Sequence, residues 1–261
     1  MDNLKSAAIP VSSRGKQYHI DVAPGEIAPI VLLPGDPGRA DYISGRWDKR
    51  QLIANHREYR TYTGIYRGTP ISVTSTGIGS PSTAIAIEEL LRVGARAMIR
   101  VGTCGAIQRN IRPGDLVVAT GAVRLEGTSK QYAPVEYPAV ADYRVVEALV
   151  ETVETLGYRY HTGIVASTDS FYLGQGRPGF KEFITEEAAS IIPRLQSLRV
   201  KAFEMEASLL FTLSSIYGFP AGCVCAAVAN RVTDEFVVDA GVEYAIDAAN
   251  EASRRIYKII A

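Results

Sequence analysis

The sequence contains few cysteines and no excess of charge of either sign. Cys104, Cys223 and Cys225 are its three cysteines, and an odd, low number is typical of a reducing compartment. Cys223 and Cys225 lie two residues apart in an apolar run, which favours packing in a buried strand over metal binding. Lysine and arginine number 28, as do aspartate and glutamate. This balance lacks the basic excess of nucleic-acid-binding domains, so we expect no nucleic-acid partner.

Long hydrophobic runs are also missing. No stretch approaches the ~18 consecutive apolar residues of a membrane span, and residues 1–13 lack the apolar segment of a signal peptide. We therefore expect a cytoplasmic protein with no membrane partner. The dinucleotide-binding fingerprint is absent too, because Gly77-Ile78-Gly79 is followed by Ser80 and Pro81 and not by a third glycine.

Strand and helix patterns alternate along the whole chain. The clearest unit is a strand at 71–75, a loop at 76–79, a helix and a second strand at 97–101. Ser80 is the expected N-cap of this helix, Pro81 its first residue and Gly94 its end. This alternation predicts an α/β fold: one domain over residues 1–261 with a mixed, mostly parallel central sheet flanked by helices.

Residues 1–28 are polar and are predicted to form an N-terminal arm. The other predicted strands cover residues 28–33, 59–66, 70–75, 116–120, 161–167 and 221–229. The other predicted helices cover residues 141–156, 183–195, 204–217 and 239–260.

Three glycine-containing loops follow predicted strands, at 35–39, 76–80 and 100–105. Ligands of open α/β sheets bind beyond the carboxyl ends of the strands, and glycine lets the backbone approach a ligand closely. Two of the loops carry an arginine, Arg39 and Arg100, which suits a phosphate-type anion. Any one of these loops could equally be a tight turn, whereas the three together favour an anion site.

Four segments resemble the signature segments of the nucleoside phosphorylase-I family, in the family's order and spacing. They are GDPGR at 35–39, STGIGSPS at 75–82, RVGTCGAI at 100–107 and FEMEA at 203–207. The resemblance implies phosphorolysis with inversion. Inorganic phosphate attacks C1′ of a β-nucleoside through an oxocarbenium-like transition state, as in glycoside hydrolysis, and gives α-ribose 1-phosphate and free base. No cofactor is implied, since phosphate is a co-substrate.

The resemblance also assigns residues to phosphate, ribose and base. The phosphate residues are Gly35, Arg39, Arg57, Arg100 and Thr103. The ribose residues are His19, Thr103, Glu204, Met205 and Glu206, and the base residues are Phe171, Gln175, Arg177 and Arg231. Arg57 and His19 are implied to come from a neighbouring subunit. Arg100, Glu206, Arg177 and Gln175 are the expected catalytic residues.

The segment FYLGQGR at 171–177, supported by Asn230 and Arg231, resembles the family members that cleave uridine. Uridine and phosphate are therefore the expected substrates, because the glutamine amide suits the uracil edge and the arginine suits charge developing on the leaving base. The resemblance further implies a homo-oligomer, a hexamer built as a trimer of dimers. A monovalent cation such as K⁺ is implied at Glu58, Ile78 and Ser82, where ordinary structural contacts are the alternative.

Three other functions stay open. A purine nucleoside phosphorylase acting on inosine or 5′-methylthioadenosine would need an aspartate at the base, and here Arg231 stands near the expected position with Asp234 further along. A nucleosidase that uses water would not need Arg39, Arg57 and Arg100 together. A non-catalytic nucleoside-binding protein would bind uridine without turnover.

Overall fold

A computed structural model describes residues 6–260 and shows one mixed sheet that closes partly on itself. Its strands are β1 (Ile30–Leu33), β2 (Lys49–His56), β3 (Tyr59–Tyr66), β4 (Thr69–Thr74), β5 (Ala97–Ala106), β6 (Leu116–Arg124), β7 (Ala139–Val140), β8 (Tyr160–Ser167), β9 (Ala202–Glu204), β10 (Ala221–Asn230) and β11 (Glu235–Phe236). The helices are α1 (Pro37–Ser44), α2 (Ser80–Arg92), α3 (Tyr143–Thr155), α4 (Glu186–Ser197), α5 (Ala207–Tyr217) and α6 (Val242–Ile260). The predicted α/β class is confirmed.

Strand β5 belongs to two parts of the sheet. On one side it continues into an open sheet, with β1 and β4 parallel to it and β3 and β2 following antiparallel. On the other side it pairs in parallel with β10, which pairs with β6, then β8, then β9, and β9 pairs with β5 again. These five strands therefore form a closed ring. Sequence periodicity contains no signal for this closure, because it does not report which strands pair.

Helices cover both faces of the sheet and bury two apolar clusters. Helices α2 and α5 pack on one face through residues such as Ile87, Leu90 and Phe211. Helices α1, α3 and α6 cover the other through Ile43, Leu149 and their neighbours. Cys223 and Cys225 are buried in the first cluster with their sulfur atoms 3.6 Å apart, and packing in a buried strand is what their spacing predicted. None of the helices within residues 6–260 has both the length and the apolar character of a membrane span.

Several predicted boundaries were wrong, and the errors lie close to the site. Residues 100–105 are not a loop but the second half of β5, because they pair with β10. Gly102 permits this approach, since a Cβ there would lie 2.9 Å from the Cys225 sulfur. Helix α5 begins at Ala207 and not at residue 204, because Glu204 ends β9.

Helix α2 begins one residue earlier than predicted. Its N-cap is Gly79, with φ +97°, and Ser80 is its first helical residue. Strand β2 was not predicted, because six of its eight residues are exposed and it lacks an apolar alternation. Within residues 6–28 the predicted arm contains one isolated bridge, between Val11 and Gln17, and residues 1–5 of that prediction lie outside the described part.

Candidate active site

A cavity of about 580 Å³ is lined by residues within β5 and by segments that end or follow five other strands, β1, β4, β8, β9 and β10. The predicted site residues that line it are Gly35, Arg39, Ile78, Arg100, Thr103, Phe171, Gln175, Arg177, Glu204, Met205, Glu206 and Arg231. They come from segments far apart in the sequence, and the pairing of the strands brings them together, although β9 runs antiparallel to β5. This volume suits one small-molecule ligand.

One end of the cavity suits an anion. The turn after β1 leads into α1, whose N-cap Asp36 accepts a hydrogen bond from the Gly38 N–H at 2.8 Å. Arg39 lies in the first turn of α1, and no ion pair joins it to any of residues 6–260. Burial, and then the neighbouring Arg100 guanidinium, lower the pKa of Arg39. The Asp36 and Asp239 carboxylates act on Arg39 in the opposite direction but form no ion pair with it, so its guanidinium is available to bind an anionic ligand.

Arg100, Glu204 and Glu206 form a buried charged cluster in the middle of the cavity wall. Arg100 Nε donates to Glu204 Oε2 at 2.9 Å, and Arg100 Nη2 lies 2.5 Å from Glu206 Oε2. The other Glu206 oxygen accepts from the Gly79 N–H at 2.5 Å. The three side chains are each at most 7% exposed. Two carboxylates thus share one guanidinium, so the cluster is short of positive charge.

The shared arginine leaves one carboxylate poorly stabilised as an anion. Burial, which outweighs the attraction of Arg100, raises the pKa of Glu206 to about 7, and repulsion from Glu204 acts in the same direction. Burial opposes the charge of Arg100 too, yet Glu206 and Glu204 together raise its pKa well above the ordinary value. Glu206 is therefore the group of this cluster that exchanges a proton near neutrality.

Glu204 is fully engaged by protein groups. Its Oε2 accepts from the backbone N–H groups of Glu206 and Ala207, both at 2.8 Å, in addition to Arg100. Its Oε1 accepts the hydroxyl proton of Ser167. Glu204 therefore caps α5 and orients Arg100, whereas Glu206, whose Oε2 has no hydrogen bond of good geometry within residues 6–260, is the carboxylate left for a ligand.

At the opposite end lies a group suited to a planar base. Gln175 Nε2 donates to Thr168 Oγ1 at 3.0 Å, and Arg177 Nη1 donates to Gln175 Oε1 at 2.6 Å. These bonds fix the orientation of the amide and leave one N–H and one lone pair of Gln175 for a ligand. The Arg177 guanidinium lies 3.8 Å from the centre of the Phe171 ring.

Arg231, the residue that follows β10, supports this segment. Its Nη1 donates to the Gln175 carbonyl oxygen at 3.0 Å. Burial, and then repulsion from Arg231, lower the pKa of Arg177 to about 10. The base end therefore carries two guanidinium groups that would favour negative charge on a bound ring.

Similarity to known proteins identifies the family to which the chain belongs. A family model for the phosphorylase superfamily matches residues 29–261. The chain belongs to the phosphorylase superfamily. Uridine phosphorylase of Thermococcus kodakarensis is 59% identical over 97% of this chain and 91% of that protein. Uridine phosphorylase of Escherichia coli is 37% identical, over 94% and 99% respectively. Guanosine phosphorylase of Halorubrum lacusprofundi is 42% identical, over 83% and 85%.

Four predicted site residues of this phosphorylase-superfamily chain do not line the cavity. His19 lies in the arm, where its Nδ1 is 2.6 Å from the buried carboxylate of Glu89. Arg57 occupies the β2–β3 turn with φ +57°, and its guanidinium lies 5.8 Å from the Tyr18 ring. Both are at the surface of the protomer, and the arm contacts this hairpin through the His56 Nδ1, which is 2.7 Å from the His19 carbonyl oxygen.

Glu58 and Ser82, predicted with Ile78 to hold a cation, lie against the 76–79 loop. Glu58 packs so closely on Gly77 that a Cβ there would lie 2.9 Å from the Glu58 Cγ. The Ser82 hydroxyl donates to the Gly79 carbonyl oxygen at 3.2 Å. Ile78 is 78% exposed at the tip of the loop. Within residues 6–260 no three His, Cys, Asp or Glu side chains cluster as a metal site.

Sequence reasoning missed other cavity residues of this superfamily member. Asp36, Phe203, Glu235 and Phe236 line the cavity, and β11 carries the last two over its rim. The strand Glu235–Phe236 has two residues, which is too short for a periodic signal. Gly79 was predicted as a turn residue only, and its N–H contact to Glu206 depends on a tertiary approach that no local pattern encodes.

Proposed function

We propose that this chain is a uridine phosphorylase, which converts uridine and inorganic phosphate to uracil and α-ribose 1-phosphate. The observation that carries the proposal is the order of groups along one cavity. Arg39 lies near Arg100, which pairs with Glu206, whereas Arg177, bonded to Gln175, lies beside Gly105 further along β5. This order matches phosphate, ribose and base in a nucleoside under attack at C1′. The uridine phosphorylases among its relatives support the choice of base.

Each group has a task in the proposed reaction. Arg39, Arg100 and Thr103, with the backbone at Gly35, hold phosphate below C1′. Glu206, packed beside Met205, accepts ribose hydroxyl protons in hydrogen bonds and favours the positive charge that develops at C1′. Electrons of the broken C1′–N1 bond pass to the uracil ring.

At the other end of the substrate, Gln175 reads the imide edge of uracil. Arg177, with Arg231 behind it, stabilises the anionic ring oxygens as the glycosidic bond breaks. Phe171 packs against the ring. Phosphate is the only co-substrate in this scheme, and the whole chain acts as one domain.

Uridine loss followed by ultraviolet absorbance tests the proposal. Uridine is expected to disappear only when phosphate is present, and each uracil formed is expected to consume one phosphate. Repeating the assay with sodium or potassium as the sole monovalent cation tests the cation proposed at Glu58, Ile78 and Ser82.

Guanosine and inosine serve as the competing substrates, because Asp234 and Glu235 line the cavity and could meet a purine. Cleavage of guanosine without cleavage of uridine would show that the chain is a purine nucleoside phosphorylase. Uridine cleavage without phosphate would contradict the role given to Arg39.

We also propose that His19 and Arg57 complete the site of a neighbouring subunit, within a hexamer built as a trimer of dimers. Their position at the protomer surface, away from the cavity of their own chain, supports this. Co-expression of Arg57→Ala and Glu206→Ala chains is then expected to restore activity that neither has alone, because one of the two sites in each mixed dimer has neither change.

The control pairs Arg57→Ala with His19→Ala. Both residues are contributed to the site of the neighbouring subunit. Every site in a mixed dimer therefore lacks either His19 or Arg57, and no recovery of activity is expected. Equal behaviour of the two mixtures would show that the sites are not shared. Light scattering of the unmodified protein measures the oligomer independently.

A further inference from the structure

Ser167 lies at the end of β8, fully buried and outside the cavity lining. Its hydroxyl oxygen contacts two groups, the Ser208 backbone N–H at 2.8 Å and the Glu204 carboxylate. A backbone N–H can only donate, so it occupies a lone pair of the Ser167 oxygen. The single hydroxyl proton of Ser167 is therefore directed to Glu204 Oε1.

Behind Ser167 a second buried carboxylate holds this arrangement. Glu126, also fully buried, accepts from the Ser129 N–H at 2.8 Å and from the Ser208 hydroxyl at 2.9 Å. The adjacent Arg124 donates to Ser129 Oγ at 2.9 Å. Neutral donors thus hold Glu126, and Glu126 fixes the first turn of α5, which supplies the N–H that orients Ser167.

Glu204 transmits this orientation to the cavity. A carboxylate is planar, so holding Oε1 at Ser167 also fixes the direction of Oε2. Oε2 in turn accepts from Arg100 Nε and from the Glu206 backbone N–H. A rotation of the Glu204 side chain would release both groups together.

We infer that Ser167 is a positioning residue, which through Glu204 holds Arg100 and Glu206 in the arrangement that phosphate and ribose require. The inference rests on the proposed function and adds to it a residue that touches neither substrate. Its effect should be confined to the phosphate and ribose end, because Gln175 and Arg177 are held by separate hydrogen bonds.

The test compares Ser167→Ala with Ser253→Ala. Ser253 is equally buried, but its hydroxyl donates to the Ala249 carbonyl oxygen within α6 at 2.7 Å, far along the chain from the site. We expect Ser167→Ala to lose roughly 10- to 100-fold in kcat/KM for phosphate, the value of a hydrogen bond to a charged group. The loss should appear in kcat and in the KM for phosphate, with a smaller change in the KM for uridine. Ser253→Ala should keep both constants.

Ser167→Thr keeps the hydroxyl and should regain most of the activity. Thermal unfolding of all three variants shows whether a loss only follows stability. Kinetics of Ser167→Ala that match those of Ser253→Ala, or a threonine variant as impaired as the alanine variant, would overturn the inference.

Calorimetric binding of inorganic phosphate keeps the two proposals separate. If the unmodified protein does not cleave uridine, the proposed function fails. Weaker phosphate binding by Ser167→Ala than by Ser253→Ala would still support the positioning role, and equal binding would refute it.

Discussion

Replacing Glu206 by glutamine is expected to lower kcat for uridine phosphorolysis by about 100- to 1000-fold, the effect of removing one preorganised electrostatic contact to a transition state. Glutamine keeps the shape and one acceptor oxygen, so folding should be preserved. What is lost is the negative charge beside C1′. Steady-state kinetics at saturating phosphate measure the change. A rise in the KM for uridine with kcat unchanged would mean that Glu206 contributes only to binding of the ground state.

The pH dependence provides a second readout of the same residue. Because the pKa of Glu206 is raised to about 7, activity that needs the carboxylate should rise with pH through about 7 and level off above it. The glutamine variant should lack this rise. A native profile that is flat between pH 6 and 8 would contradict the assignment.

Stability should change in the opposite direction to activity. The folded protein binds the Glu206 proton more tightly than the unfolded chain, whose glutamates titrate near 4.5. The free energy of unfolding therefore falls as pH rises from about 4.5 to about 7, and the loss is complete above that. Since a tenfold change in proton affinity corresponds to about 1.4 kcal/mol and the pKa rises from 4.5 to about 7, Glu206→Gln should gain on the order of 3 kcal/mol at pH 8 and almost nothing at pH 4. Urea unfolding at both pH values measures this difference.

Replacing Arg100 by methionine is expected to have the larger effect on folding. The change keeps much of the side-chain volume but leaves Glu204 and Glu206 buried without their shared cation. Removing one partner of a buried ion pair costs about 3–5 kcal/mol. Activity should fall by at least about 1000-fold, because phosphate loses a contact and Glu206 loses its orientation.

A double variant separates the causes of the stability loss. Arg100→Met combined with Glu206→Gln removes one of the two stranded carboxylates and should recover more free energy of unfolding than Glu206→Gln gains in the unmodified protein. Substitutions at two residues in contact are expected to have non-additive effects on the free energy of unfolding. Strict additivity in urea unfolding would mean that the short contact between Arg100 and Glu206 contributes nothing to stability.

The sequence predicted the fold class well because the signals for it are local. Alternating apolar runs and helix ends such as Gly218, which has φ +72° after α5, can be recognised without knowing which strands pair. The closed ring could not be predicted, since it depends on β10 contacting both β5 and β6. The error at residues 100–105 has the same origin, because glycines that suggest a loop in isolation are accommodated in β5 by their neighbours.

Part of the candidate site could be predicted from the sequence for a different reason. The glycine-containing segments at 35–39, 76–80 and 100–105 predicted an anion site, whereas the ribose and base residues were assigned by resemblance to the family. Ser167 carried no such signal, because a lone serine at a strand end is an ordinary residue until its two partners are known. His19 and Arg57 posed a third difficulty, because within this chain they contact Glu89 and the Tyr18 ring and do not line the cavity.

Strand β5 makes the spacing between the two ends of the cavity a property of one continuous backbone. Its first half pairs with β1, which leads to the Arg39 end. Strand β10, which leads to Arg231, pairs along nearly the whole of β5, and β9, which ends at Glu204, pairs with its last two residues. The cavity therefore has no hinge at its floor. A larger or smaller base must be accommodated by the peripheral segments around Gln175 and Phe236, so substrate range can diverge among descendants of this scaffold while the phosphate end stays unchanged.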